Sequence, residues 1–177
     1  VILLLAWSLS SVIKELGTSR YLVDMLSQNT PKFLLPVAIF VLGSFISFST
    51  GTSYGTMGIL MPLAIPLANA VGLHYGLSGD ALHAYMIVNI SGVLTGAIFG
   101  DHCSPISDTT ILSSMGAGCD HIEHVKTQMP YALSVGAVAV VAGYLPVALG
   151  LSVWIALPMG LVVTWALVRF AGKKIEG

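Results

Sequence analysis

An all-α, multi-pass membrane helix bundle with two interrupted segments, re-entrant or broken, is the fold class this sequence predicts. Three observations carry it. Hydrophobic residues make up 55% of the chain and charged residues only 8%, against roughly 25% charged in soluble domains, and the mean hydropathy is +0.89. Apart from Asp80, Asp101 and Asp108, the charges are gathered in the stretches 14–32, 120–126 and 169–176, with long apolar blocks between them. Ser, Thr, Gly and Pro collect at two places inside apolar sequence, 47–56 and 100–107. A net charge of −1 leaves no basic footprint for nucleic acid.

The elements follow in order. Residues 1–13 are apolar but too short for a span, which needs about 20 residues. They read as a helix cut by the start of the sequence. No basic region precedes them, so they are not a signal peptide. Residues 14–30 mix charge with Leu16, Tyr21, Leu22, Val23, Met25 and Leu26, the pattern of an amphipathic helix at the membrane interface. Residues 32–70 are apolar at both ends with a Ser/Thr/Gly run at 47–56 that weakens helix propensity. The flanks 33–46 and 57–70 are each short for a span, so a re-entrant hairpin or a discontinuous helix is expected. Pro62 and Pro66 add kinks that membrane helices tolerate. Residues 71–80 read as a Gly-rich connection and 81–99 as a helix. Residues 100–107 are irregular, with Pro105 as a breaker, and Asp108 is placed as N-cap of a short helix at 109–115. A polar linker is expected at 116–127, then spans at 129–149 and 151–170 joined near Gly150. Cys103 and Cys119 are expected to be free thiols. Lys/Arg excess assigns the cytoplasm to 14–32 and 169–174, and its lack assigns the outside to 71–80. A re-entrant hairpin at 32–70 conflicts with that pair of assignments.

The candidate site is built around two carboxylates. A carboxylate at membrane depth is expensive and marks an ion or proton pathway. Asp101 follows the end of the 81–99 helix, where free carbonyls and the helix dipole favour a cation. Broken helices in transporters use such ends to hold Na⁺ or H⁺. Hard cations take oxygen ligands, and Asp101, Ser104, Ser107, Asp108, Thr109 and Thr110 offer them within ten positions. The other interruption offers Ser49, Thr50, Thr52 and Ser53, and Asn89 offers an amide oxygen. Na⁺ and a proton would compete for Asp101 and Asp108 acting as a coupled pair, which suffices for exchange when access alternates. Asp101→Asn or Asp108→Asn is expected to abolish it. Plainer readings stay open: a helix cap for Asp108, a wet helix end for Asp101, close packing for the Ser/Thr run, and an interhelical hydrogen bond for Asn89. His102 is a candidate proton relay. His121 and His124 share a helical face but lack a second ligand pair, so zinc is not expected. With Glu123 they read as a solvated linker or a pH-sensing surface.

The run GDHCSPISDTTILSSMGAGCDHIEHVKTQMPYAL, from Gly100 to Leu133, strongly resembles the NhaC-type sodium/proton antiporter family, and residues 6–18 and 49–56 are similar to it as well. The resemblance implies a multi-pass protein of the prokaryotic plasma (inner) membrane that exchanges Na⁺ for H⁺. Residues 1–177 would form the C-terminal half of its transmembrane domain, unable to transport without an N-terminal half. It implies no cofactor beyond the transported ions, no enzymatic activity, and the bilayer and the missing half as partners; a homodimer is compatible with it. Some members of the family exchange organic acids or amino acids instead, such as malate for lactate, and that branch is the alternative. An intramembrane enzyme using Asp101 and Asp108 as an acid–base pair is the rival from another class, and their spacing across Pro105 does not require contact.

Overall fold

The computed structural model describes residues 30–171 and isolated positions between 4 and 25. The readings of 1–13 as a cut span and 14–30 as an interfacial helix fall mostly outside the described residues. Helices α1 (Leu34–Thr50), α2 (Ser53–His74), α3 (Gly79–Cys103), α4 (Asp108–Gly116) and α5 (His121–Val138) follow one another. α5 runs on through a π-helical stretch, Ala139–Tyr144, to Ala148, and α6 covers Val153–Ala171. No strand occurs among the described residues. Among the described residues, four helices are long and apolar enough to cross a bilayer: Ser53–His74, Gly79–Cys103, His121–Ala148 and Val153–Phe170.

Several boundaries differ from the sequence expectation, each for a local reason. The 47–56 run is helical except at Gly51 and Thr52. The hydroxyls of Ser44, Ser49, Thr50 and Thr56 donate to the carbonyls four residues back, Phe40, Phe45, Ile46 and Thr52, at 2.7–2.9 Å. Polar side chains satisfied within their own helix do not break it in apolar surroundings. The break itself is sharp. Gly51 takes a left-handed φ of 65° and its N–H bonds to Ser47 O, while the Thr52 hydroxyl caps α2 by accepting from Gly55 N at 3.3 Å. α3 runs from Gly79 to Cys103, so Asp101 lies in its last turn rather than after it. Ser107, not Asp108, is the N-cap of α4. The linker expected at 116–127 shrinks to 117–120 because Asp120 caps α5, accepting from Ile122 N and Glu123 N at 3.0 Å. Glu123 and Lys126 then pair at 2.8 Å on the first turns. The Asp120–Glu123 spacing is a helix-start pattern visible in the sequence. Asp120→Ala is expected to cost about 1 kcal/mol of helix-end stability, read as roughly fivefold faster hydrogen exchange at the Ile122 and Glu123 amides.

Helix directions follow from paired contacts. A Cβ placed on Gly92, Gly96 or Gly100 would meet Pro36 O, Phe40 O or Ser44 O respectively, and Ser104 Oγ donates to Phe48 O at 2.7 Å. Both series rise together, so α1 and α3 are parallel. Glycine every fourth residue removes the side chains that would hold the two backbones apart. α2 runs antiparallel to both and packs against the pair: Gly43 faces Leu60 and Gly72 faces Leu82 and Tyr85. The apolar core is built from all three helices, with Leu35, Ile39, Leu60, Ala64, Leu67, Val71, Tyr85 and Val93 buried together. α5 returns along α3, with Gly136 against Phe99 and the Tyr144 hydroxyl bonded to Thr95 Oγ1. Phe40 packs on both Phe99 and Tyr144, ring centres 5.7 and 5.4 Å away.

This arrangement puts the Gly51 break and the 104–107 break at one end of the bundle. Lys32 lies at the other end, where Tyr85 Oη donates to Lys32 O at 2.9 Å, together with the α2–α3 connection. The cytoplasmic assignment, taken at Lys32, and the external assignment of 71–80 therefore cannot both hold. A hairpin returns the chain to its starting side, which a count of Lys and Arg along the sequence does not register.

Candidate functional site

The two interruptions meet. Gly51 sits so close to Ile106 that an added Cβ would lie 2.9 Å from the Ile106 carbonyl oxygen. Ser104 clamps the junction: its hydroxyl donates to Phe48 O at 2.7 Å and accepts from Ile106 N at 3.3 Å. Breaks that would each leave backbone groups unpaired thus satisfy one another inside protein, as irregular backbone at membrane depth requires.

Asp101 lies beside this junction, only 9% exposed. Its Oδ1 accepts from Ser107 Oγ at 2.9 Å. Ser107 Oγ also lies 2.8 Å from Thr109 Oγ1. With the Ser107 proton committed to the carboxylate, Thr109 is the donor in that second bond, giving a chain Thr109→Ser107→Asp101. The local sequence produces this geometry directly. Pro105 has no N–H to continue α3, and the Ser107 N–H turns back to Ser104 O at 3.3 Å. That turn brings the Ser107 hydroxyl under the last turn of α3.

Other expected site residues go elsewhere. Asp108 occupies the first turn of α4 and is exposed. The Asp101 carboxylate bonds Ser107 rather than Asp108, so the two carboxylates are not in hydrogen-bond contact. Ser49 and Thr50 are exposed and bond to their own helix. Thr52 is engaged as the cap of α2. Asn89 is fully buried, donating to Tyr85 O at 2.8 Å, with no partner for its Oδ1. It stands three turns of α3 before Asp101, about 18 Å along the axis, and is not part of the same cluster.

His102 is exposed, and its carbonyl accepts from Thr110 at 3.3 Å and Gln128 at 3.0 Å. It lines a cleft of about 230 Å³ with Thr109, Thr110, Ser113, His124 and Gln128. His121 is not on a solvated linker. Its ring spans Ser114 Oγ at 3.1 Å and Pro105 O at 2.6 Å, tying the start of α5 to α4 and to the α3 break.

Two buried hydroxyls that were not among the expected ligands fall on the level of Asp101 by helix register. Gly43 of α1 packs against Ala97 of α3 and Leu60 of α2, each at 3.4 Å from its Cβ position. One turn further toward the breaks, the same three faces carry Ser47, Asp101 and Thr56. Ser47 is 0% and Thr56 1% exposed. Both belong to the 47–56 run. Read as irregular chain, that run has no faces; read as helix, Ser47 follows Gly43 by one turn and points inward.

The profile of the Na⁺/H⁺ antiporter family matches residues 1–148. A protein of Haemophilus influenzae described as uncharacterized is 43% identical over 98% of this chain, which spans 31% of that protein. The malate-2H⁺/Na⁺-lactate antiporter of Bacillus subtilis is 34% identical over 55% of the chain and 18% of its own length. The Na⁺/H⁺ antiporter NhaC of Alkalihalophilus pseudofirmus is 26% identical over 71% of the chain and 23% of its own length. The chain thus spans less than a third of each of these relatives. No solved structure matches it. With its apolar helices and a profile match over most of its length, the chain belongs to the Na⁺/H⁺ antiporter family.

Proposed function

We propose that this chain carries the ion-binding centre of a longer sodium/proton antiporter of the prokaryotic inner membrane, and that Na⁺ and H⁺ compete for Asp101. The observation that supports it is a buried carboxylate beside two abutting helix breaks, bonded to the Ser107 hydroxyl and through it to Thr109. A buried charge needs a compensating partner, and no Lys or Arg approaches Asp101 among the described residues, since the one ion pair there is Lys126–Glu123. A bound cation or a proton fills that need, one excluding the other. Ser107, Thr109 and Ser104 supply the remaining oxygens at the α3 end, where the helix dipole favours positive charge. Thr109 and Ser107 hand a hydrogen-bond chain from α4 to the carboxylate, and the His102 cleft adjoins Thr109.

The test uses full-length protein in proteoliposomes loaded with a pH-sensitive dye and acidic inside. External Na⁺ is expected to drive proton efflux, with the apparent KM for Na⁺ rising as external pH falls. Efflux unchanged by any cation overturns the reading.

The Bacillus subtilis relative's name favours a second reading, cation-coupled exchange of an organic acid. Under it, malate and not Na⁺ alone would drive the response, and Asp101 would serve coupling only.

A further inference from the structure

We propose that Ser47 and Thr56, with Asp101, form a cage of oxygen ligands contributed by three different helices, which takes a dehydrated monovalent cation. The inference rests on the cation-exchange reading and names ligands it does not contain.

Ser47 Oγ has no hydrogen-bond partner, although its residue is 0% exposed. Leaving a buried hydroxyl unpaired costs about 1–3 kcal/mol, and such groups in folded proteins call for an explanation. The cost is avoidable here. Ser44, Ser49 and Thr50 on the same helix all donate to the carbonyl four residues back. Ser47 has the Gly43 carbonyl at that position and does not use it. Its oxygen is held instead on the face that α1 turns toward α2 and α3.

What it meets there follows from the helix registers. The Gly43, Leu60 and Ala97 layer closes the apolar core. The next layer is polar on all three helices: Ser47, Thr56 and Asp101. Thr56 donates its proton to Thr52 O at 2.9 Å, and Ser107 donates its own to Asp101 Oδ1. A hydroxyl whose proton is committed elsewhere turns its lone pairs outward, as a cation ligand must. The layer thus offers one carboxylate and neutral oxygens. One negative charge balances one positive charge, so the chemistry fits Na⁺ or Li⁺ and leaves a divalent ion with an uncompensated charge in a buried site. Because α2 contributes Thr56 and α1 contributes Ser47, the cage also couples the hairpin to the carboxylate helix.

The experiment measures Na⁺- and Li⁺-driven proton efflux from full-length protein in proteoliposomes, alongside the Na⁺-induced rise in melting temperature of the purified protein. Ser47→Ala and Thr56→Val are expected to raise the apparent KM for Na⁺ about tenfold, the scale of one lost contact to a charge, and to shrink the Na⁺-induced melting shift. Thr56→Ser, which keeps the oxygen, is expected to stay near the wild type. Ser134→Ala, an exposed hydroxyl bonded to Pro130 O, is expected to change neither readout. If the wild type exchanges Na⁺ while Ser47→Ala and Thr56→Val keep its KM and its melting shift, the cage is overturned and the antiport reading stands. If the wild type itself shows no cation-driven efflux and no Na⁺-induced shift, both fall together. Should Ser47→Ala fail to fold, the contrast of Thr56→Val with Thr56→Ser decides alone.

Discussion

Asp101→Asn in the full-length transporter is expected to abolish cation-driven proton movement while leaving the protein folded in the membrane. Asparagine matches aspartate in size, and its Oδ1 can still accept from Ser107, so the bond that holds the α3 break survives. Two things are lost. The amide carries no charge, and a unit charge about 4 Å from a cation at an effective dielectric constant of about 20 is worth about 4 kcal/mol, close to a thousandfold in affinity. The amide also does not titrate, so no proton is released when the cation binds. Dye-loaded proteoliposomes should show a flat trace at every Na⁺ concentration, with a melting temperature within a few degrees of the wild type. Exchange at an ordinary rate would remove Asp101 from the mechanism. Asp108 separates from it here: exposed on the first turn of α4, its Asn variant is expected to slow exchange severalfold rather than abolish it.

Gly100→Val is expected to prevent the bundle from assembling. A Cβ at Gly100 would lie 2.1 Å from Ser44 O and 2.8 Å from Phe48 N, and one at Gly96 would lie 2.4 Å from Phe40 O. These are backbone atoms inside a helix, which cannot step aside as a side-chain tip does. The helices must separate, losing the Phe48–Ser104 clamp and displacing the neighbouring Asp101. Overpacking of this kind costs about 1–3 kcal/mol when side chains can adjust and more when backbones collide. The expected result is little folded protein in detergent extracts by size-exclusion chromatography. Gly116→Val, at a position with open space around it, should extract normally. A Gly100→Val protein with an ordinary melting temperature would refute the close α1–α3 crossing.

Much was legible from residues alone. Apolar blocks and sparse charge set the membrane class, and Gly and Pro placed two breaks. The block around Asp101 identified the family and the buried carboxylate. The helix boundaries at 47–56 and 116–127 were missed because short-range propensity penalises Ser, Thr and Asp without regard to where their side chains bond. In the first run the hydroxyls of Ser49, Thr50 and Thr56 return to carbonyls four residues back; in the second Asp120 starts a helix. The repeat of Gly92, Gly96 and Gly100 was equally readable as a packing face, but nothing in it names α1 as the partner.

The sequence by itself determined the chemistry: a carboxylate among hydroxyls, in a chain too apolar to live outside a bilayer. Which of those groups lie at the same level of the bundle was decided by the tertiary structure. α1 and α3 run parallel because their backbones touch through glycines, and that register carries Phe48 to Ser104 and the layer of Ser47 to the layer of Asp101. It separates Asp108 and Asn89 from that layer although both were candidates by composition. A ligand set is a relation between helices, fixed by crossing and register, and the order of residues along one chain does not contain it.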